Sequence, residues 1–211
     1  DHLRPRAIGD VPHPDQRGIP DQLCHVVSNT HVVDPSTSAG HPPDPGSSRL
    51  SVVSKQTAVA AMSQAGLDAR IVRLGPVRSL ADAAAALDLD ARDVVKTLVV
   101  RRGDDDFLFV LVPGDRTISW PKLRALLGVS RLSMPDASGA KDATGYERGT
   151  ITPFGSSRAW PVVADGRLVG RTISLGAGEH GVAAVVDADA AIAALQAQGA
   201  DVTDPQVTVP Q

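Results

Sequence analysis

Residues 96–115 read KTLVVRRGDDDFLFVLVPGD, two apolar runs rich in β-branched and aromatic residues around the turn sequence GDDD. Such residues favour pleated backbone, and a connection this short joins only neighbouring antiparallel strands. A hairpin is therefore predicted. It rules out a pure βαβ array, in which every strand pair needs a long crossover. Helical and strand-like segments interleave around it. SKQTAVAAMSQAGL (54–67) reads as a helix with Ser54 as N-cap, Gly66 as stop and Ala58, Ala61, Met62 and Ala65 on one face. DARIVRL (68–74) alternates like a strand, SLADAAAALDL (79–89) is a helix capped by Ser79, and DARDVV (90–95) is a helical turn. After the hairpin, SWPKLRALLG (119–128) is a helix from Ser119 to Gly128, and MPDASGAKDATG (134–145) is a short helix and turn. WPVVAD, GRTISLG and VAAVVDA are strands, and DADAAIAALQAQG (187–199) is the closing helix. The expected class is mixed α/β: a curved mixed sheet with a barrel-like core and flanking helices.

Composition changes near residue 50. Residues 1–50 hold eight of the sixteen prolines, five of the six histidines and the lone cysteine, Cys24, with no apolar periodicity. Such a segment buries too little apolar surface to offset its ordering entropy. It is expected to be a poorly ordered extension, followed by one domain over 51–205 and a short tail at 206–211. His2, His13, His25, His31, His41 and Cys24 match no zinc-ligand spacing. Aromatics make up only 3% of the chain, so the core must come from Val, Leu, Ile and Ala. A formal charge of −3 provides no global attraction for nucleic acid, and any RNA contact needs a local patch. One cysteine excludes an internal disulfide framework and makes a cytoplasmic home the default. The sequence begins with Asp1, so its true start is expected to lie upstream. It shows no charged stretch leading into an apolar one, so no secretory leader is expected. No apolar run approaches the ~20 residues that span a bilayer.

Three features can carry chemistry. Lys96, one of four lysines, sits where a helical turn enters an apolar strand. It is either a strand lysine reaching to solvent or a cation at a pocket mouth. His180 lies in SLGAGEHGVAA between Gly178 and Gly181. It is either an exposed residue of a tight turn or a general base beside backbone donors. GYERGTITPFG (145–155) carries four glycines or prolines in eleven residues, a density of backbone control that suits a shaped pocket wall. No Gly-x-Ser-x-Gly elbow, HExxH or CxxC is present. Asp104, Asp105 and Asp106 read as a solvated turn.

Taken together, DVVKTLVV, LVPGDRTISWPKLRALLG, ATGYERGTITPFG, LGAGEHG and DADAAIAALQAQGADVTD occur in an order and spacing that resemble the YbaK/ProX family of prolyl-tRNA-synthetase-associated editing domains. The resemblance covers about residues 53–205. It implies a compact α/β fold with one cleft and a trans-editing activity, hydrolysis of an amino acid wrongly esterified to a tRNA. It implies no metal or other cofactor, and aminoacyl-tRNA and prolyl-tRNA synthetase as partners. It assigns Lys96, Thr152 and His180 to catalysis, and Pro153, Phe154, Gly155, Gly176, Gly178 and Gly181 to substrate binding. The ester carbonyl is expected near the amides of the Gly155 or Gly178 region. Arg101, Arg102, Arg148 and Arg158 are candidate tRNA phosphate contacts. Two departures from the family pattern stand out. Thr152 replaces a usual serine, and Gly176 and Ala183 stand where cysteine-specific members tend to carry Ser and Asp. The competing reading is a catalytically silent module that binds aminoacyl-tRNA or a nucleotide.

Overall fold

The computed structural model describes residues 53–206, all within the compact unit Ser48–Gln211. The elements run α1 (Lys55–Gln64), β1 (Arg70–Arg73), α2 (Leu80–Leu87), a 3-10 turn (Ala91–Asp93), β2 (Lys96–Gly103), β3 (Asp106–Val112), β4 (Arg116–Ile118), α3 (Trp120–Leu127), α4 (Ala137–Thr144), β5 (Val162–Asp165), a second 3-10 turn (Gly166–Leu168), β6 (Thr172–Gly176), β7 (Val182–Asp187), α5 (Ala188–Ala194), β8 (Gln198–Ala200) and β9 (Thr203–Pro205). The three early helices begin at the serines expected. Ser54 forms a capping box with Thr57, and the Ser79 hydroxyl accepts from the amide of Asp82. Ser119 occupies the N-cap of α3 without a side-chain bond to the helix amides, and Gly128 closes that helix in the left-handed conformation.

The hairpin is present as β2 and β3, paired antiparallel from Lys96↔Val112 to Arg101↔Phe107. Its turn is only Asp104 and Asp105; Asp106 opens β3 and pairs with Arg102 instead of standing at a free tip. β5 then adds parallel to β3, and β8 parallel to β5, giving the order β2-β3-β5-β8. β1-β7-β6 forms an antiparallel sheet, and β4 pairs with β9. The fold is mixed α/β as expected, but these three sheets do not close into a barrel. A single parallel bridge, Val94↔Ser174, links the start of β2 to β6.

The packing of β3 explains why its sequence is apolar at every position from Phe107 to Val112. Phe109 and Leu111 enter a core shared with α1, β6 and β7, while Leu108, Val110 and Val112 enter a second core beneath α3. A strand buried on both faces loses the alternation of a half-exposed one. Leu111 is fully buried, and Leu111→Ala is expected to cost about 2–5 kcal/mol.

Three short strands escape the sequence reading: β4, β8 and β9. β8 (QGA) and β9 (TDP) have little strand propensity, and partners already in place impose their conformation. The closing helix consequently stops at Ala194, short of residue 199, and Gln196 turns with φ 49° toward β8. Ala65, expected on the buried face of α1, is exposed at its C-cap.

Candidate active site at the free edge of strand β2

β2 is an edge strand. Its outward backbone groups bond only at two points. The Val95 amide donates to the Ser174 carbonyl at 3.0 Å, and Arg101 exchanges two bonds with Ser133 at 2.8 and 3.1 Å. Peptide groups point alternately to the two sides of an antiparallel strand. The outward amides and carbonyls between those points therefore belong to Thr97 and Val99, and they meet no backbone partner among the described residues.

A cavity of about 480 Å³ opens against this edge. Val95 to Val99 form one wall, and Met134 to Ala137 with Ala140 form another, around the start of α4. Arg148, Gly149, Ile151 and Gly176 complete it. Side chains alternate along β2: Val95 and Val99 enter the main core, Leu98 and Val100 the second. Thr97 thus lies on the main-core face, and its hydroxyl oxygen is shut off from solvent with no hydrogen-bond partner. Lys96 lies on the other face. Its ammonium donates to the Arg116 carbonyl and, at 3.4 Å, to Gln206 Oε1. Burial lowers its pKa, opposed by the nearby charge of Asp115. Arg148 is exposed at the cavity wall and has no hydrogen bond or ion pair among the described residues.

The loop between α4 and β5 separates this cavity from a second one. The second is lined by Ser54, Lys55, Tyr146, Glu147, Thr150, Gly178, Glu179 and His180, with others. Tyr146 is buried and its hydroxyl donates to the Phe154 carbonyl at 2.8 Å. Residues 149–151 cross directly over the end of β6. A Cβ on Gly176 would stand 2.6 Å from the Ile151 carbonyl oxygen, so only glycine fits without displacing backbone. The Gly178 amide bonds the Thr150 carbonyl at 3.1 Å.

The residues singled out in the sequence fall into distinct places. Lys96, Arg148 and Gly176 meet at the β2 cavity. His180 and Gly178 line the second cavity. His180 is largely exposed, with Nε2 3.7 Å from Glu147 Oε2, and its ring flanks the far side of Gly149. The Glu147 carboxyl lies below its ordinary pKa through Lys141 first and His180 second. Gly155 packs on the backbone of Thr57 and Ala58, and Gly178 on that of Ser54. Both serve close packing against α1, and the Gly178 amide is already engaged by Thr150, which leaves it no proton for an ester oxygen. Thr152 is fully buried, its hydroxyl accepting from the Phe154 amide at 3.4 Å, and Phe154 belongs to the core. Pro153 is half-buried beside them, and Gly181 makes the left-handed turn between β6 and β7. Arg102 is held by Asp106 at 2.7 Å, Arg158 stacks over Trp160 at 5.4 Å, and Arg101 is exposed beside the Ser133 bridge. Thr97, Met134 and Asp136 escaped the sequence reading. Only Thr97 carried a signal, as the neighbour of Lys96 with a hydroxyl in an otherwise aliphatic run.

The model of the aminoacyl-tRNA editing domain matches residues 75–193, more than half of the chain and inclusive of every residue of the β2 cavity. The chain belongs to the aminoacyl-tRNA editing domain family. The proline–tRNA ligase of Thermosipho africanus (strain TCF52B) is 37% identical over 89 residues, covering 42% of this chain and 16% of that ligase. The proline–tRNA ligase of Caldicellulosiruptor saccharolyticus is 37% identical over 81 residues, covering 38% of this chain and 14% of that ligase. This editing domain thus spans a small part of the ligases it matches. Among solved structures, hypothetical protein APE2540 superposes with a TM-score of 0.62 at 26% identity, over 68% of this chain and 96% of that one. A candidate trans-editing enzyme for prolyl tRNA synthetase superposes with a TM-score of 0.65 at 23% identity, over 71% and 96%; at that identity the likeness is one of fold. Among the described residues no helix is long and apolar enough to cross a membrane.

Proposed function

We propose that this editing domain is a trans-acting aminoacyl-tRNA deacylase. Its substrate is tRNA(Pro) carrying a small wrong amino acid such as alanine or cysteine, and residues 51–205 form the working unit. It works in the cytoplasm alongside prolyl-tRNA synthetase. The likeness to proline–tRNA ligases supports the choice of tRNA. The observation that carries the reading is the β2 cavity, which brings Lys96, Arg148 and Gly176 together in a member of an aminoacyl-tRNA editing family.

The chemistry needs little from side chains. Water attacks the ester carbonyl carbon, the bond to the ribose oxygen breaks, that oxygen takes a proton, and the amino acid leaves as a carboxylate. The amino-acid side chain sits against Val99, Met134, Ala140 and Ile151, an apolar wall that limits its size. One methylene changes binding by only ~1–3 kcal/mol in such a pocket, so the tRNA itself contributes to selectivity. Lys96 exchanges the Arg116 carbonyl for a ribose or phosphate oxygen and offsets the negative charge of the transition state. Arg148 contacts phosphate at the mouth. His180 lies across the loop from Lys96 and acts on the tRNA or on the loop rather than on the ester.

A panel of Ala-, Cys-, Ser- and Pro-tRNA(Pro) tests the reading. Release of Ala or Cys with Pro-tRNA(Pro) spared supports it, and stability of every charged tRNA refutes it. The second reading is a silent binding module. It is favoured by one observation, the engagement of the Lys96 ammonium by the Arg116 carbonyl; it predicts tRNA binding with no turnover.

A further inference from the structure

We propose that the free edge of β2 grips the aminoacyl group itself, with the Thr97 hydroxyl as a direct substrate contact. The inference rests on the deacylase reading and deepens it.

Buried polar atoms in proteins are almost always partnered, because an unpartnered one loses its water without compensation. Among the described residues, Thr97 Oγ1 is the one buried side-chain polar atom with no partner. Its neighbours on the same face of β2, Val95 and Val99, are core valines. Valine has the same shape as threonine and would sit at 97 without that penalty. The hydroxyl contributes nothing inside the protein, but it stands on the strand segment that walls the cavity.

The backbone at the same place is also unfilled. The edge is bridged at Val95 and again at Arg101, which leaves the outward peptide groups of Thr97 and Val99 open. That gap is too short for another strand. It suits a single aminoacyl unit laid along the edge, as an added strand would lie. An aminoacyl ester offers an α-ammonium with three donors and a carbonyl acceptor. A strand edge offers the complement, carbonyls for the ammonium and amides for the carbonyl, and a hydroxyl serves either. Beside its ester the adenosine offers a single 2′-hydroxyl, against the three-donor ammonium and the carbonyl of the aminoacyl group, so the edge reads the amino acid more than the nucleoside.

Thr97→Val and Thr97→Ser test this beside wild type. The probes are a charged tRNA and 3′-alanylamino-3′-deoxyadenosine, a non-hydrolysable amide, with adenosine as the control ligand in calorimetry. Thr97→Val is expected to melt at or above the wild-type temperature. It should bind the amide about tenfold or more weakly and adenosine unchanged. Its kcat/KM for deacylation should fall by the same factor, and Thr97→Ser should restore most of both. Equal amide binding by wild type and Thr97→Val would overturn the proposal, as would no amide binding by wild type or an equal loss for adenosine. Should wild type release no amino acid from any tRNA, the deacylase reading fails, while the amide measurement still decides the role of Thr97.

Discussion

The Tyr146 hydroxyl donates to the Phe154 carbonyl at 2.8 Å, across eight residues of chain. This bond ties together the two ends of the loop that walls the candidate site. The same loop carries Arg148, Gly149 and Ile151 into the cavity. A Cβ on Gly178 would stand 2.8 Å from the Tyr146 ring, so the phenol also packs directly against the turn after β6.

Tyr146 is the only tyrosine in the chain, so its ionisation can be followed by ultraviolet absorbance without overlap from another. Burial pushes its phenol up to about 12. A raised pKa contributes stability that is complete below pH ~10 and is lost as pH rises toward ~12, on the order of 2–3 kcal/mol. Phenolate absorbance should therefore appear together with loss of near-ultraviolet circular dichroism. Titration near 10 in the folded protein would contradict the buried bond. Tyr146→Phe leaves the Phe154 carbonyl unpartnered and should cost about 1–3 kcal/mol in denaturant unfolding.

Gly176→Ala should damage the site from within. The added Cβ would meet the Ile151 carbonyl oxygen at 2.6 Å, and the φ of Gly176 is not in the left-handed region, so the effect is purely one of space. Moving loop backbone costs about 1–3 kcal/mol, against at most ~1 kcal/mol gained from a stiffer unfolded chain. A lower melting temperature with reduced deacylation is the expected outcome; an unchanged or higher melting temperature would show that the loop does not press on β6.

Lys96 separates stability from activity. Burial disfavours its charge, so Lys96→Met should leave stability within about 1 kcal/mol of wild type. Loss of a charged hydrogen bond to the transition state should lower kcat by roughly 10–100-fold. Lys96→Arg should not rescue it, since a planar fork does not replace a compact ammonium on a flexible stem. Rescue by arginine would point to long-range charge alone.

Acid should weaken the packing of the segment around β9. Asp201 is held down to about 2 by Arg167 and then Lys122, which approaches it at 3.2 Å. A depressed carboxyl contributes stability that is complete above its unfolded value near 4 and is lost as pH falls toward 2. Urea midpoints of Asp201→Asn should therefore fall less steeply between pH 4 and 2 than those of wild type. Parallel curves would show that the pair contributes nothing.

The fold was legible where sequence makes local demands. The apolar run at residues 107–112 of β3, its tight turn, and Ser54 and Ser79 as caps required no partner to be recognised. β4, β8 and β9 were illegible, since their neighbours create them. The site was legible in part for the same reason. Lys96 and the glycine-rich loop stand out along the chain, whereas Thr97 matters only because the edge of β2 lies open beside it. Gly155 and Gly178 announced backbone freedom correctly; what they approach is α1, a contact that spacing alone does not reveal.

The most direct measurement is a single-turnover assay of Ala-tRNA(Pro) and Cys-tRNA(Pro), with wild type and Lys96→Ala at equal concentration and tRNA binding measured in parallel. The account predicts release of at least one of the two amino acids by wild type. It predicts release slowed by roughly 10–100-fold in Lys96→Ala, with tRNA binding retained. Binding of both tRNAs by wild type with no release of either amino acid would contradict it.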